Sequence, residues 1–586
     1  MKEIFKYLKP YRKETIIAVI CVFLESSLEI VVPFLMNFIL QNGKGITYDP
    51  ITNIINSYDL PYVFTIGGIM IGCAALAFTL GILGAKYSAK CGRGLGAELR
   101  KKQYEQIQKY SFDNLDDFRT SSLITRLTND VTIIQDAFTQ SLRPALRSPT
   151  MLIFSLVLAF IISPYLGLIF LVVIPLLGLI LFIILKIVRP KFKTLQIIMD
   201  KLNRTTQESI IAIKTIKAYV KEDYEAIKFN EVNTELKNTA SSAYATLQLN
   251  MPAMQFATYT TIIALLTFGA SFFTKGLIQD VSEISTFLSY IMQLLSSLMM
   301  LSNVFMLVSR SSPSVLRVLE VIKTSPTIID NKNSKEEITS GNIEFKNVYF
   351  KYKKDAEKYV LSNINFKINH GEFVGIVGQT GSSKTTLINL MNRFYDASAG
   401  EILIDNKNIK DYSLFEIHNK IANSLQNPIL FKGTVKENLL YGNKNATDEE
   451  IIRATKIACC YDFIVNNLEN GFETMIGQSG TNVSGGQRQR LCLARAILTN
   501  PKILILDDSF SALDRITENK VKENIKNNLK DTTLIVISQK ISAIKDADKI
   551  IVLNNGVVNN IGTHQELLQK DEIYQNMDFI QSEGLN

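Results

Sequence analysis

The chain of 586 residues is too long for one domain, and nearly all of its long apolar runs lie in roughly the first 310 residues. Its net charge of +8, from 63 basic and 55 acidic residues, is too small to indicate a nucleic-acid partner. Its six cysteines are scattered without metal-ligand spacing, which argues against both a metal cluster and a disulfide framework.

Six apolar stretches are long enough to cross a membrane, whose hydrocarbon core takes about 20 helical residues. They lie at Thr15–Leu40, Tyr62–Ala85, Leu146–Ser163, Tyr165–Val188, Phe256–Thr274 and Ile284–Val308. The connections at 86–145 and 189–255 are long and rich in Lys and Arg, whereas those at 41–61, 163–165 and 275–283 are short and poor in them. Because basic connections stay in the cytosol, we expect a plasma-membrane protein with both termini cytosolic.

The two long cytosolic connections keep the periodicity of helices. We therefore expect the membrane helices to continue into the cytosol as rods, rising about 1.5 Å per residue. Each pair of rods should turn around through a short segment, near 112–122 and near 207–219.

The apolar spans stop after Arg317, and the composition changes to that of a soluble α/β protein. We assign residues 1–320 to an all-α, six-helix transmembrane domain, 321–342 to a polar linker and 343–586 to a nucleotide-binding domain. In the last region β-rich runs alternate with helical patterns, which predicts an α/β domain with a mainly parallel sheet. The predicted strands are Ile343–Tyr349, Phe373–Val377, Ile402–Ile404, Ile503–Leu506, Thr533–Ile537 and Lys549–Leu553.

A phosphate-binding loop between a buried strand and a helix predicts an ATP site, because it offers backbone N–H groups and a helix N-terminus to the phosphates. The loop residues are Gly378, Gln379, Thr380, Gly381, Ser382, Ser383, Lys384, Thr385 and Thr386. Lys384 is expected to reach the β- and γ-phosphates, and the Thr385 hydroxyl to ligate Mg²⁺. Ser383 stands where the usual pattern has its last Gly, so the backbone is less free there.

Two residues that would act on the γ-phosphate depart from the usual pattern. Asp507 ends an apolar strand and can hold Mg²⁺, while Asp508 is placed to polarise the attacking water where Glu is usual. Asp is one methylene shorter, and a displacement of about 1 Å can cost roughly a hundredfold in rate. Gln539, where His is usual, cannot carry a positive charge. We expect impaired hydrolysis at this site; the alternative is a tolerated variant with normal activity.

A second phosphate receptor is predicted where Ser484, Gly485, Gly486 and Gln487 open a helix. A hydroxyl, glycine N–H groups and a helix N-terminus together suit a γ-phosphate. Within one chain this motif and the phosphate loop both lie on the surface. They can serve one ATP only if two cassettes pack head to tail.

These motifs resemble those of half-size ABC (ATP-binding cassette) exporters of the multidrug and lipid type, which have six membrane helices followed by one cassette. The resemblance covers essentially the whole length. It implies that Tyr352 stacks on adenine and that Gln426 senses Mg²⁺ and the γ-phosphate. It also implies a D-loop at the cassette interface, made of Ser511, Ala512, Leu513 and Asp514, and two coupling segments at 117–131 and 207–222.

The departures at Ser383, Asp508 and Gln539 resemble the degenerate subunit of heterodimeric bacterial exporters. That resemblance implies ATP and Mg²⁺ as cofactors and a non-identical half-transporter with intact Glu and His as partner. It also implies a small amphipathic, drug-like or lipid-like substrate. A regulatory subunit that only holds ATP and an importer with the exporter architecture remain open. A soluble kinase is excluded by the six spans and the motif at 484–487.

Glu25 and Glu29 lie four residues apart in the first span and therefore share one helix face. A carboxylate in a membrane is costly, so both are expected to face a polar cavity. They could contact a substrate, line a solvated wall or bond a neighbouring helix, and the sequence leaves these alternatives open.

Overall fold

The computed structural model describes residues 3–42, 44–45, 57–278, 282–353 and 355–583. Their contacts divide the chain into two compact units. The first unit comprises Met1–Gln108 and Thr120–Thr324, and the second comprises Lys109–Arg119 and Ser325–Asn586. The short segment Lys109–Arg119 thus belongs to the same unit as the C-terminal half of the chain.

The first half of the chain is helical. Its elements in chain order are a 3₁₀-helix at Ile4–Tyr11, α1 (Arg12–Asn42), β1 (Lys44–Gly45), β2 (Ser57–Tyr58), α2 (Leu60–Ile107), α3 (Phe112–Asp117), α4 (Thr120–Thr125), a π-helical turn at Arg126–Asp130, α5 (Val131–Ile162), α6 (Pro164–Ile211), α7 (Ile213–Ala218), α8 (Glu222–Gln248), α9 (Asn250–Thr274) and α10 (Ser282–Lys323). Of these, α3 belongs to the second unit.

Six helical segments in the described residues are long and apolar enough to cross a membrane, which confirms the predicted number of spans. The helices α2 and α6 each run for 48 residues, or about 70 Å, whereas a hydrocarbon core is about 30 Å thick. Both helices are thus about twice as long as one crossing requires, which is consistent with the predicted rods. Of the short connections, 46–56 and 279–281 lie outside the described residues.

The interior of the first unit lies where α1, α5 and α10 pack together. Ile30, Met151 and Phe287 are buried there. By contrast, only 7% of the most apolar 18-residue stretch of α6 is buried within the chain's own fold. The apolar face of α6 is thus left for lipid or for another chain.

The second half of the chain alternates strands and helices. Its elements are β3 (Ile343–Phe350), β4 (Leu361–Ile368), β5 (Phe373–Val377), α11 (Lys384–Met391), β6 (Ala399–Ile404), β7 (Lys407–Asn408), α12 (Leu414–Lys420), β8 (Ile421–Ser424), β9 (Gly433–Thr434), α13 (Val435–Leu440), α14 (Asp448–Ile457), α15 (Tyr461–Asn467), β10 (Met475–Ile476), α16 (Gly485–Leu498), β11 (Ile503–Asp507), α17 (Arg515–Asn528), β12 (Thr533–Ile537), β13 (Lys549–Asn554), β14 (Val557–Gly562), α18 (His564–Lys570) and α19 (Glu572–Glu583).

The main sheet of this unit has six strands in the order β14-β13-β5-β12-β11-β8. All neighbours pair in parallel except β13 and β14, which agrees with the mainly parallel sheet that was predicted. Strands β11 and β12 are buried throughout, because helices cover both faces of a parallel sheet. The carboxyl ends of β5, β8, β11 and β12 consequently meet at one edge.

Two of the predicted strands belong to a different sheet. β3 and β6 pair antiparallel with each other, and with β4 and β7 they form a four-stranded sheet in the order β4-β3-β6-β7. The predicted strands Ile343–Tyr349 and Ile402–Ile404 are therefore present, but they lie in this antiparallel sheet and not in the main one. β4 was not predicted, because half of its residues point outward and its apolar run is broken by polar side chains.

Candidate functional site

The predicted phosphate loop connects the buried strand β5 to helix α11, which begins at Lys384. The Lys384 ammonium donates to the carbonyl oxygens of Gly378 at 2.7 Å and Gln379 at 2.9 Å. Burial lowers the pKa of Lys384, and the nearby Asp507 and Asp508 offset part of that change. The lysine thus lies across the loop that is expected to hold the phosphates.

Ser383 is the residue at which the loop departs from the usual glycine, and it has a left-handed backbone with φ +74° and ψ +25°. This conformation costs a residue with a Cβ about 1–2 kcal/mol and costs glycine almost nothing. The loop keeps its path with Ser in this position, but at the expense of local strain.

The other wall of the site comes from the ends of three neighbouring strands. Asp507 ends β11, Gln539 follows β12, and Gln426 follows β8. These side chains and the loop line one cavity of about 330 Å³. The predicted residues in its lining are Thr380, Gly381, Ser383, Lys384, Thr385, Thr386, Gln426, Asp507, Asp508 and Gln539.

The two carboxyl groups in this cavity hold protons more firmly than exposed ones do. Burial, together with the neighbouring charge of Asp508, raises the pKa of Asp507 to about 6. Burial also raises the pKa of Asp508, although Lys540, Lys384 and a hydrogen bond from Gln426 oppose this. Asp508 thus directly follows β11, is hydrogen-bonded to Gln426 and is close enough to Lys540 and Lys384 to interact with their charges.

A residue that the sequence did not single out fixes the backbone beside Gln539. The side-chain amide of Gln581, near the end of α19, donates to the Gln539 carbonyl oxygen at 2.8 Å and accepts from the Ile541 N–H at 2.8 Å. No local pattern marks Gln581, because its partners are about forty residues away in the chain.

The predicted adenine-stacking residue, Tyr352, has an exposed fraction of 41%, so its ring is available to a ligand. Its hydroxyl is hydrogen-bonded to Thr386 of α11 at 3.0 Å. Its ring meets that of Tyr395 edge-on at 5.1 Å, and the Tyr395 hydroxyl donates to Asp116 of α3 at 2.7 Å. This series of contacts connects α3 to the residue expected to hold the base, and the sequence did not predict it.

The segment around α3 also packs on the cassette through Phe112, whose ring lies 4.5 Å from that of Phe394. The residues that group with the cassette are Lys109–Arg119, which overlap the coupling segment suggested by resemblance, 117–131, only at its start. The second suggested segment contains α7, and none of the residues of α7 is buried.

The second phosphate receptor has the geometry of a capped helix start. Ser484 caps α16, its Oγ accepting from the Gln487 N–H while the Gln487 side chain accepts from the Ser484 N–H. Gln489 then joins this helix to the predicted D-loop, donating to the Ser511 hydroxyl at 3.0 Å and accepting from the Ala512 N–H at 3.1 Å. In the described residues, 484–487 do not line the cavity that holds the phosphate loop.

A membrane unit of six spans followed by a domain with this loop and this capped helix matches two family profiles. Residues 15–298 match the ABC transporter transmembrane region, and residues 361–511 match the ABC transporter domain. The chain belongs to the ABC transporters. It is a half-size transporter, with one transmembrane region fused to one ATP-binding domain, and half-size ABC transporters work as dimers in the membrane.

Two relatives match this chain over nearly their full length. The chain is 35% identical to the uncharacterized ABC transporter ATP-binding protein YfiB of Bacillus subtilis (strain 168), over 98% of this chain and 97% of that protein. It is 32% identical to the ATP-dependent lipid A-core flippase of Syntrophus aciditrophicus (strain SB), over 99% of this chain and 94% of the flippase.

A solved structure shares the fold of the whole chain. The structure of a bacterial Atm1-family ABC exporter with ATP bound has a TM-score of 0.82 and 22% sequence identity, over 97% of this chain and 98% of that one. The chain therefore has the exporter-type fold, with six membrane helices followed by an α/β ATP-binding domain. This domain binds ATP, normally with Mg²⁺.

Proposed function

We propose that this chain is one half of a heterodimeric ABC exporter whose own ATP site holds nucleotide and cleaves it slowly. The observation that carries this proposal is that Asp508 and Gln539 line the same cavity as Lys384 and Thr385. Both departures from the usual pattern thus face the region where the γ-phosphate would lie. An Asp reaches less far than a Glu, and a Gln cannot offer a positive charge.

The residues of the cavity fit ATP and Mg²⁺. Thr385, Gln426 and Asp507 supply hydroxyl, amide and carboxylate oxygens, which are the ligands that Mg²⁺ prefers. When bound, Mg²⁺ would neutralise charge that develops on the phosphates. The backbone of the loop and Lys384 would bind the phosphates, and Tyr352 would stack on adenine.

We propose that the partner is a non-identical half-transporter with intact Glu and His. In a head-to-tail pair, the receptor at 484–487 of this chain would close over ATP held by the partner, with the D-loop (511–514) beside it. The end of the second cytosolic rod offers a further contact surface: Ile211, Tyr219 and Val220 are 73–80% exposed there. An apolar tip of this kind is suited to burial against another protein.

The transport proposal rests on the relatives and on charge. One relative is named a lipid A-core flippase, which favours a small amphipathic, drug-like or lipid-like substrate. The basic connections favour a plasma-membrane protein with its termini and its cassette in the cytosol. In this proposal residues 1–320 form the transmembrane domain, 321–342 the linker and 343–586 the cassette.

The asymmetry can be tested with two substitutions in the assembled pair. A Cβ added at Gly485 would make only ordinary contact with Ala512, at 3.8 Å, whereas at Gly486 it would come within 2.9 Å of the Ala512 carbonyl oxygen. Gly485→Leu can therefore block the receptor with the fold preserved, and Gly485→Ala is its matched control. We expect Gly485→Leu to nearly abolish transport in vesicles, and Asp508→Asn to have a mild effect.

The outcome separates the alternatives. Equal loss of transport from Gly485→Leu and Asp508→Asn would mean that the two ATP sites are equivalent, and the proposed division of labour would be wrong. A regulatory subunit that only holds ATP would give a different result. The unmodified pair would then not transport, and the substitutions would only cause the two chains to dissociate. Accumulation inside right-side-out vesicles would indicate an importer.

A further inference from the structure

Four charged side chains meet between two helices of the first unit. Glu25 and Glu29 lie on α1, and Arg143 and Arg147 lie on α5, each pair four residues apart and so on one helix face. Arg143 donates to Glu25, and Arg147 binds Glu29 at 2.5 Å and lies 3.6 Å from Glu25. The sequence offered a polar cavity and a bond to a neighbouring helix as separate possibilities, and the structure contains both.

These side chains line a cavity of about 740 Å³. Small-molecule sites in proteins have volumes of about 300–1,000 Å³ and combine apolar walls with a few polar groups. The remaining wall of this cavity is largely apolar and includes Phe78, Ile82 and Met151. The cavity thus combines a cluster of charged side chains with a largely apolar wall.

Several polar atoms of the charged side chains and of Gln293 have no hydrogen-bond partner within the described part of the chain. Glu25 is only 3% exposed, yet its Oε2 is unpaired, and so are the Nε atoms of Arg143 and Arg147 and the Oε1 of Gln293. Glu25 and Gln293 line the cavity. Buried polar groups are nearly always paired, and leaving one unpaired is costly. A ligand that both donates and accepts hydrogen bonds could pair with these oxygen and nitrogen atoms.

We infer that this cavity binds a zwitterionic amphiphile. Its ammonium group would lie at Glu25 and Glu29, its phosphate or carboxylate oxygens at Arg143 and Arg147, and its hydrocarbon part along the apolar wall. Two carboxylates and two guanidinium groups leave the site with no net charge. A ligand with a single net charge would bring an uncompensated charge into this neutral site, whereas a zwitterion adds none and can bond to both the carboxylate and the guanidinium groups.

The inference rests on the proposed function only for the claim that the ligand is transported, because binding requires neither ATP nor a partner. The chain has no tryptophan, so Phe78→Trp places a single fluorescent reporter in the cavity wall. The reporter chain is titrated in a neutral maltoside detergent with dodecylphosphocholine, dodecyltrimethylammonium and dodecyl sulfate. These probes share one hydrocarbon chain and differ in charge.

We expect the zwitterion to bind about tenfold more tightly than either singly charged probe. Glu25→Gln should remove this preference in favour of the sulfate, and Arg143→Gln should remove it in favour of the ammonium probe. Glu320→Gln is the matched control, because Glu320 is ion-paired to Arg126 at 2.7 Å in the same unit and does not line the cavity.

Two results would overturn the inference. One is equal affinity for the three probes. The other is a Glu25→Gln protein that unfolds at a lower temperature but keeps the order of affinities, since the cluster would then only join two helices. If the single variants do not fold, the double variant Glu25→Gln with Arg147→Gln, which keeps the site neutral, tests whether the preference for the zwitterion is lost. Competition by phosphatidylethanolamine but not phosphatidylglycerol in nanodiscs would identify a lipid headgroup as the ligand, and no competition by either would identify a soluble amphiphile.

Discussion

Restoring the two altered residues is the most direct test of the impaired site. We expect Asp508→Glu together with Gln539→His to raise ATP hydrolysis by this chain roughly a hundredfold. One added methylene moves the carboxylate by about 1.5 Å, and misplacement on this scale costs on the order of a hundredfold, or ~2.7 kcal/mol of barrier. Asp508 has φ +47°, which Asp tolerates better than Glu, so strain offsets part of the gain in both variants. The single Asp508→Glu change should give less than the pair because it lacks the positive charge of His at position 539.

The assay is single-turnover hydrolysis of labelled ATP by the full chain, purified without its partner and reconstituted in nanodiscs. Asp508→Asn is the control that gives the background rate, because it keeps the shape of the side chain and removes its charge. An unmodified chain that already turns over ATP at about 1–10 s⁻¹, an ordinary enzyme rate, would refute the reasoning. An unchanged rate in the double variant would refute the assignment of these two positions.

Four further outcomes are expected. Ser383→Gly should relieve about 1 kcal/mol of backbone strain, seen as a higher unfolding temperature of the nucleotide-bound chain; no change would mean that the loop is not strained. Tyr352→Ala should weaken ATP binding about tenfold through lost stacking, measured by equilibrium binding. Tyr395→Phe removes the hydrogen bond to Asp116 and keeps the ring, so transport should fall while ATP affinity stays the same. Because burial raises the pKa of Asp507 to about 6, the Mg²⁺-dependent part of ATP binding should be full near pH 7.5 and weaken as pH falls through 6, measured against a chelator control.

The parts of the fold that depend on local pattern could be predicted from the sequence. Six spans follow from the length of the apolar runs, and β5 and β12 were predicted with their observed bounds because they are short, mostly apolar and flanked by turn residues. The antiparallel sheet could not be predicted in the same way. The partners of β3 are β4 and β6, and strand pairing between distant segments leaves no local signal.

The same limit applies to the sites. The phosphate loop was predicted because a strand, a glycine-rich turn and a helix stand next to each other in the chain, and Asp507 was predicted because it ends an apolar strand. Gln581 and Tyr395 were missed because their contacts join distant segments. For Glu25 the costly carboxylate was noticed, but its cation lies 118 residues further on, and no spacing rule connects the two helices.

The distribution of the departures supports two unequal ATP sites. Residues that would act on this chain's own ATP carry all of the changes discussed, at Ser383, Asp508 and Gln539. Residues that would act on the partner's ATP keep their geometry: Ser484 caps its helix and Gln489 bridges to the D-loop. In the proposed head-to-tail pair these two sets belong to different nucleotides, so the changes would weaken one cleavage step and leave the other intact. If ATP hydrolysis had been lost at both sites, changes would be expected at the receptor (484–487) as well as at Asp508, because neither would then be needed. The changes are confined to the residues that face this chain's own ATP. This is the pattern expected of a pair in which one site holds ATP and the other hydrolyses it.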